Sequence, residues 1–249
     1  PLYWMISAAT NTSTDVSRGR ILPGTYFMQN FKNLTAQQPL WRALGNSLFY
    51  AVLTTVICLL ICSIAGYGFE VYHDKGKDRL FSILLLAMMV PQVATMVPLF
   101  KMFSKAKLLN TSIGFILPII STPFMIMMFR QNARAFPVDI IEAARIDGLS
   151  EVQIFFRMFI PTMKSTYAAA AVITFMNAWN AYLWPKVIMS DNRAMTMPML
   201  IANLITGYKT DYGMLMCGVL FCSIPTMIVF FVLQKQFAEG LSLIHISEP

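Results

Sequence analysis

A polar segment near the middle of the chain, residues 129–165, holds the charged side chains whose spacing suits a contact with another protein. It contains Pro137, which fits the first turn of a helix. Glu142 lies early enough in that helix to interact with the positive end of its dipole, and Asp147-Gly148 provides a stop signal. A short surface helix is therefore predicted. It is either a connector that caps the fold or a docking site for a partner.

The apolar face of this helix and the stretch that follows it complete the segment. A second amphipathic stretch runs from Ser150 to about Phe159 and is ended by Pro161. The sequence thus predicts two short helices that lie along a membrane surface. The first of these helices, which follows Pro137, has an apolar stripe at helical spacing, formed by Ile140, Ile141, Ala144 and Ile146.

Nothing in the chain predicts catalysis. A P-loop needs Gly, four residues and then Gly-Lys-Ser/Thr, and the Gly76-Lys77 pair is followed by Asp78. The two histidines, His73 and His245, are far apart in the sequence. The 19 methionines suit adaptable packing better than a metal path. We therefore expect no cofactor and no metal site, and any ATP hydrolysis must come from a partner.

Polar and aromatic side chains also gather in the stretch 177–184. Sugars are often held by aromatic faces and amide groups, and Asn177, Trp179, Asn180 and Tyr182 therefore form a candidate substrate path. In the alternative interpretation, the rings form a belt at the membrane interface and the asparagines bond to neighbouring helices. The residue types leave both interpretations open.

Long apolar runs must position these two segments. Of the 249 residues, 57% are hydrophobic and 12% are charged, against about 25% charged residues in a typical soluble domain. The composition predicts an all-α, polytopic membrane helix bundle, because a transmembrane helix needs about 20 apolar residues. Complete spans are predicted at 46–69, 80–99, 112–129, 165–185 and 213–233, and several of them contain prolines.

The residues outside these runs refine the prediction. Residues 1–9 look like the last turns of a further helix, so the end of a truncated first span is expected there. The predicted spans contain no Asp, Glu or His, whereas ion-coupled carriers usually place one inside the membrane. The basic residues behind the net charge of +7 are scattered, which argues against nucleic acid as a partner. Alternate loops carry similar numbers of Lys and Arg, so the positive-inside rule gives no orientation.

The spacing within the central segment resembles a known signature. Glu142-Ala143-Ala144, three residues, Gly148, and twelve residues to Pro161 resemble the signature loop of ABC-importer permeases. In that pattern Ile and Leu precede the proline, and here Met158 and Ile160 keep both positions apolar. The chain is similar over residues 1–242 to the maltose-type carbohydrate permeases. Further points of resemblance are Asn46-Ser47, Ala65-Gly66-Tyr67, Pro91, Pro98, Trp179-Asn180 and Pro185.

The resemblance implies a function and a set of partners. It implies the permease subunit of an ATP-binding-cassette importer that moves sugars or oligosaccharides across the bacterial cytoplasmic membrane. A permease for glycerol phosphate, a polyamine or an amino acid is the alternative, and a membrane channel or scaffold without ATP coupling is a third reading. The implied partners are two ATPase subunits, a second, paralogous permease subunit, an extracytoplasmic solute-binding protein and the lipid bilayer.

The resemblance also implies where the parts of the chain lie. It implies six spans per subunit, a cytoplasmic position for residues 130–164, and an outward segment, 186–212, that meets the solute-binding protein. Re-entrant or interfacial packing of 186–212 against the bundle is the alternative. Residues 1–242 would form the N-terminally truncated transmembrane domain, and 243–249 would be a tail foreign to the family. The implied ATPase-coupling residues are Glu142, Ala143, Ala144, Asp147, Gly148 and Pro161.

Overall fold

The computed structural model describes residues 1–72, 74–206 and 210–245, with side chains described as far as Gln234. These residues form helices joined by turns, with no strand within the described ranges. A π-helix occupies Phe155–Phe159 and a 3-10 helix occupies Asn192–Ala194. The α-helices are α1 Leu2–Ala9, α2 Ser13–Ser17, α3 Phe27–Gln37, α4 Leu40–Val71, α5 Lys75–Ala87, α6 Gln92–Lys105, α7 Ser112–Ile116, α8 Pro123–Ala133, α9 Val138–Ile146, α10 Glu151–Ile154, α11 Ile160–Thr162, α12 Lys164–Trp179, α13 Leu183–Ile188, α14 Met197–Ile205 and α15 Tyr212–His245.

Two helices in the described part of the chain are each long and apolar enough to cross a membrane. They are α4, with a mean hydropathy of 2.5, and residues 212–234 of α15, with a mean hydropathy of 2.4. Large apolar side chains on their outer faces are exposed, such as Val56 at 60% and Val232 at 65%. Exposed apolar faces on long apolar helices are expected where the surrounding solvent is lipid.

The bundle is organised around α4, α12 and α15. α4 packs against α8 and α12, α12 also packs against α15, and α15 packs against α1 and α3. α1 occupies the residues that the sequence predicts as the end of a helix, and Ser223 on α15 donates a hydrogen bond to the sulfur of Met5. Trp179 lies in the largest buried cluster with 1% of its surface exposed.

The predicted second span, 80–99, differs from a single kinked helix. α5 ends at Ala87, α6 begins at Gln92, and their axes differ in direction by 102°. Pro91 explains the break because it has no N–H to donate and disfavours a helical conformation in Val90 before it. The pair is long and apolar enough to cross a membrane only when both helices are taken together.

The predicted third and fourth spans are also interrupted. Within 112–129, α7 ends at Ile116 and α8 begins at Pro123. The Thr122 hydroxyl caps α8 by accepting a hydrogen bond from the N–H of Met125 in its first turn. Within 165–185, α12 ends at Trp179, and α13 begins at Leu183. Each of these helices has fewer than 18 residues. The interruptions in all three spans lie around one cavity, which is described below.

Candidate functional site

The predicted surface helix is α9. Pro137 precedes it with φ −64°, which suits the start of a helix. The helix ends at Ile146 with Asp147 as its C-cap, and Gly148 has φ +81°. This left-handed conformation is easy for glycine and strained for other residues, so the predicted stop signal is confirmed. The amide of Leu149 then donates to the carbonyl of Ala144 and closes the turn.

The two faces of α9 have different environments. Ile141 and Ala144, each 2% exposed, pack into a cluster with the aromatic rings of the π-helix. Glu142 and Ala143 point outward and are exposed, as are Asp147 and Gly148 at the end of the helix. One side of α9 is therefore part of the bundle, and the other side is free for a contact.

The predicted apolar stripe needs a correction. Ile140 is 38% exposed and Ile146 is 86% exposed, so they lie outside the buried face formed by Ile141 and Ala144. A helix turns by about 100° per residue, so Ile146, two residues after Ala144 and five after Ile141, points away from that face. Ile140, four residues before Ala144, lies at the edge of the face and is partly covered. Ile146 instead adds an exposed apolar side chain at the end of α9, beside Asp147.

α10 follows with a capping box and an ion pair. The Ser150 hydroxyl caps the Gln153 amide, and the Gln153 side chain accepts from the Ser150 N–H. The Nε of Arg145 on α9 donates to Glu151 at 2.7 Å, and the hydroxyl of Tyr72 donates to the other oxygen of the same carboxylate. α9, α10 and the end of α4 are thus held together.

The pKa values of these groups follow from their contacts. The Arg145 guanidinium and then the Tyr72 hydroxyl lower the pKa of Glu151. Partial burial, followed by the hydrogen bond to Glu151, raises the pKa of Tyr72. Tyr72 therefore stays protonated and Glu151 stays ionised near neutral pH, which keeps donor and acceptor matched.

A second ion-pair group joins α4, α5 and α8. Arg130 is 7% exposed. Its Nε lies 3.2 Å from Glu70, one of its terminal nitrogens lies 2.6 Å from Asp78, and its guanidinium stacks 4.3 Å from the centre of the Phe81 ring. Arg134, one turn further along, also contacts Glu70, at 3.4 Å. A planar guanidinium can satisfy two carboxylates at once, so Arg130 ties three helices together just before α9.

Pro161, the last residue of the sequence signature, is exposed and lies within α11. Its position follows the π-helix, where Phe155 and Phe159 point into the cluster under α9. A proline has no N–H, so it is tolerated in the first turn of α11. Pro161 thus lies at the entry into α12.

The stretch 177–184 lines a cavity of about 760 Å³. Asn177, Asn180 and Tyr182 of the candidate path are among its lining residues. Its other walls come from the α5–α6 break and from the link between α7 and α8. The described lining contains amides, hydroxyls, aromatic rings and aliphatic side chains, and it carries no charged group.

Trp179 does not line the cavity. Its ring is buried against Phe175, with the ring centroids 5.8 Å apart, and its Nε1 donates to the carbonyl of Cys222 at 3.1 Å. Trp179 therefore joins α12 to α15. Trp184 lines the cavity instead, while its Nε1 donates to the carbonyl of Gly114 at 3.1 Å.

Sequence reasoning missed part of the cavity lining. The missed polar residues lie beside prolines, where spans that appear continuous in the sequence are interrupted in the structure. The positions of Pro91, Pro118 and Pro123 were the sequence signal that could have indicated these interruptions. The missed residues are Gln92, Thr95, Ser121 and Thr122.

Comparison with known proteins identifies the chain. The profile of the family described as "Binding-protein-dependent transport system inner membrane component" matches residues 60–242. This chain belongs to that family. As a member, it is a transport subunit of an inner-membrane importer and not an enzyme, and the ATPase of such importers is a separate subunit.

Relatives of this family member align along nearly its whole length. The lactose transport system permease protein LacG of Rhizobium radiobacter is 42% identical, covering 97% of this chain and 88% of the relative. The arabinooligosaccharides transport system permease protein AraQ of Halalkalibacterium halodurans is 36% identical, covering 98% and 89%. The sn-glycerol-3-phosphate transport system permease protein UgpE of Escherichia coli is 29% identical, covering 97% and 89%.

Solved structures confirm the fold of the family member. A bacterial ABC transporter involved in the import of the acidic polysaccharide alginate superimposes with a TM-score of 0.84 at 21% identity. The match covers 95% of this chain and 90% of that chain. The all-α, membrane-type fold of an ABC importer permease is therefore confirmed.

Proposed function

We propose that this chain forms part of the path of an importer for neutral sugars or oligosaccharides, driven by ATP hydrolysis in two partner ATPase subunits. The observation that carries the proposal is the chemistry of the cavity. Its lining offers side-chain amides, hydroxyl groups and the aromatic rings of Tyr182 and Trp184. The amides belong to Gln92, Asn177 and Asn180, and the hydroxyls to Thr95, Ser121 and Thr122. Amides and hydroxyls bond to sugar hydroxyls, and aromatic faces pack against the apolar faces of sugar rings.

The same lining argues against charged solutes. A phosphate ester would call for Arg or Lys, and a polyamine for Asp or Glu, because an unpaired charge away from water is costly. The described lining offers neither. Relatives named for lactose and arabinooligosaccharide transport, at 42% and 36% identity, support a sugar further. The relative named for glycerol-3-phosphate is more distant, at 29%.

The outward face of α9 is the proposed ATPase contact. Glu142 offers a charged hydrogen-bond acceptor, and Ala143 lets a partner approach closely. Gly148 sets the turn that presents Asp147 and Ile146 beside them. Ala144 and Pro161 act indirectly, Ala144 by seating α9 on the bundle and Pro161 by shaping the entry into α12.

The proposed topology gives each subunit six crossings, with α9 in the cytoplasm. In this arrangement α5 and α6 together form one crossing, as do α7 with α8 and α12 with α13, and α1 is the end of the first. Residues 1–242 form the transmembrane domain and 243–249 a tail, of which 246–249 lie outside the described residues. A second, paralogous permease completes the path by facing the open side of the cavity.

The substrate class is tested through the solute-binding protein encoded beside this gene. Isothermal titration calorimetry with neutral oligosaccharides, glycerol 3-phosphate, putrescine and amino acids should give binding with an oligosaccharide alone. A binding protein that takes a charged solute instead would contradict the sugar assignment.

The docking surface is tested by Glu142→Ala and Gly148→Val in the reconstituted complex. Both should abolish transport and the coupled ATPase activity, with membrane insertion retained. Thr35→Ala on α3 removes only hydrogen bonds to carbonyls of its own helix and serves as the control. Normal transport in both variants would show that α9 is not the ATPase contact. Transport in the absence of any ATPase subunit would favour a channel.

A further inference from the structure

One unbroken helix joins the proposed ATPase contact to the opposite end of the bundle. α4 has 32 residues and no internal proline, so it is about 48 Å long at about 1.5 Å per residue. Its buried side chains are spread from Leu40 to Tyr67, and it packs mainly against α8 and α12. The neighbouring pair α5 and α6 is bent by 102° and lacks this continuity. A packed helix without a break transmits a displacement from one of its ends to the other.

At the α9 end, α4 is held by two independent contacts. The Tyr72 hydroxyl donates to Glu151, which also accepts from Arg145 on α9. The ring of Tyr67 packs against Phe155 and Phe159, with centroid distances of 5.4 and 4.8 Å. Movement of α9 and α10 therefore acts directly on the end of α4.

At the other end, α4 holds the backbone of residues 193–197. The Asn46 amide donates to the carbonyls of Arg193 and Met195, each at 2.9 Å. The hydroxyl of Ser47 accepts from the amide of Met197 at 2.8 Å, at the start of α14. These bonds reach backbone atoms about 150 residues away in the sequence, so they fix the course of that segment.

The geometry points to α4 as the element that couples the outward segment 193–197 to the ATPase contact at α9. Asn46 and the Tyr72–Glu151 pair are positioning residues at its two ends. This inference rests on the proposed function, in which the Asn46 end faces the solute-binding protein. Binding there shifts 193–197, α4 carries the shift, and Glu151 with Arg145 passes it to α9.

The test measures ATPase activity of the complete reconstituted importer with and without its sugar-loaded binding protein. Asn46→Asp keeps the side-chain size and removes the two donated bonds, and Tyr72→Phe keeps the ring and removes the donor. Each should lower the stimulation by the binding protein about fivefold or more, with basal activity unchanged. Because both act through α4, the double variant should lose little more than the more severe single variant.

Matched controls make the same chemical changes away from α4. Asn33→Asp alters a side chain bonded to Gln29 within α3, and Ser82→Ala removes a hydroxyl bonded to the Asp78 carbonyl within α5. Both should keep wild-type stimulation. If Tyr72→Phe lowers the yield of the complex, Glu151→Gln tests the same end.

Wild-type stimulation in both single variants would overturn the inference. A double variant whose loss equals the product of the two single losses would also overturn it, since the ends would then act separately. A wild-type complex that the sugar-loaded binding protein does not stimulate would instead contradict the proposed function, on which the inference depends.

Discussion

Gly66 on α4 faces the backbone of Phe129 on α8 so closely that a Cβ at position 66 would lie 2.6 Å from the Phe129 Cβ. It would lie 2.7 Å from the backbone nitrogen of Arg130. Small residues allow this approach between membrane helices. The contact brings Arg130 within reach of Glu70, so the glycine and the ion pairs belong to one junction beside α9.

Gly66→Ala should destabilise the subunit, because no room exists for the added methyl group and overpacking costs about 1–3 kcal/mol. Gly68→Ala is the matched control, since a Cβ there meets nothing within 4 Å. Thermal unfolding of the detergent-solubilised complex should give a lower Tm for Gly66→Ala and an unchanged or higher Tm for Gly68→Ala. Equal melting temperatures for both variants would contradict the close approach.

Ala143 and Ala144 are adjacent, but leucine should have different effects at the two positions. Ala143→Leu should leave the yield of folded subunit unchanged and weaken co-purification with the ATPase, because Ala143 is exposed on the proposed contact face. Ala144→Leu should lower the yield of folded subunit, because Ala144 lies on the buried face of α9 and has no room for a larger side chain. Affinity purification of the complex, with insertion measured in parallel, separates the two effects. Identical behaviour of the two variants would mean that α9 does not have one buried face and one face for the ATPase contact.

Arg130→Ala should cost far more stability than Arg134→Ala. The Arg130 side chain is 9% exposed and bridges Glu70 and Asp78, whose side chains are 22% and 51% exposed, so the loss of its charged hydrogen bonds costs about 1.5–3 kcal/mol. The Arg134 side chain is 55% exposed, where an ion pair contributes under about 1 kcal/mol. Melting temperatures of the two variants test the ranking, and a larger loss for Arg134→Ala would contradict it.

Asn177→Ala and Trp179→Ala should separate substrate handling from structure. Asn177 lines the cavity, so its loss should lower the transport rate at limiting sugar about threefold to tenfold, the effect of one lost neutral hydrogen bond. Trp179 lies in the core, and its truncation should cost about 3–5 kcal/mol and reduce the yield. Initial uptake rates normalised to folded subunit check both effects. A normal yield of Trp179→Ala with a selective loss of transport would contradict the structural role and indicate that Trp179 belongs to the substrate path.

The sequence predicted the helical bundle because membrane-spanning helices need long apolar runs, which can be recognised in the sequence alone. It also predicted the boundaries of α9, because Pro137 and Gly148 act on their own backbone. It did not predict the 102° bend between α5 and α6, since a proline marks a break without giving its angle. Nor did it separate Trp179 from Trp184, whose surroundings depend on α7 and α15, distant in the sequence.

The central claim is that this chain conducts a neutral sugar through an uncharged cavity when partner ATPases act on α9. Uptake of a labelled oligosaccharide by proteoliposomes that hold the complete importer, with its binding protein outside and ATP inside, tests that claim most directly. The account predicts ATP-dependent accumulation that is lost in Glu142→Ala and slowed in Asn177→Ala. Accumulation of a charged solute in place of the sugar, or sugar uptake that persists without ATP, would contradict it.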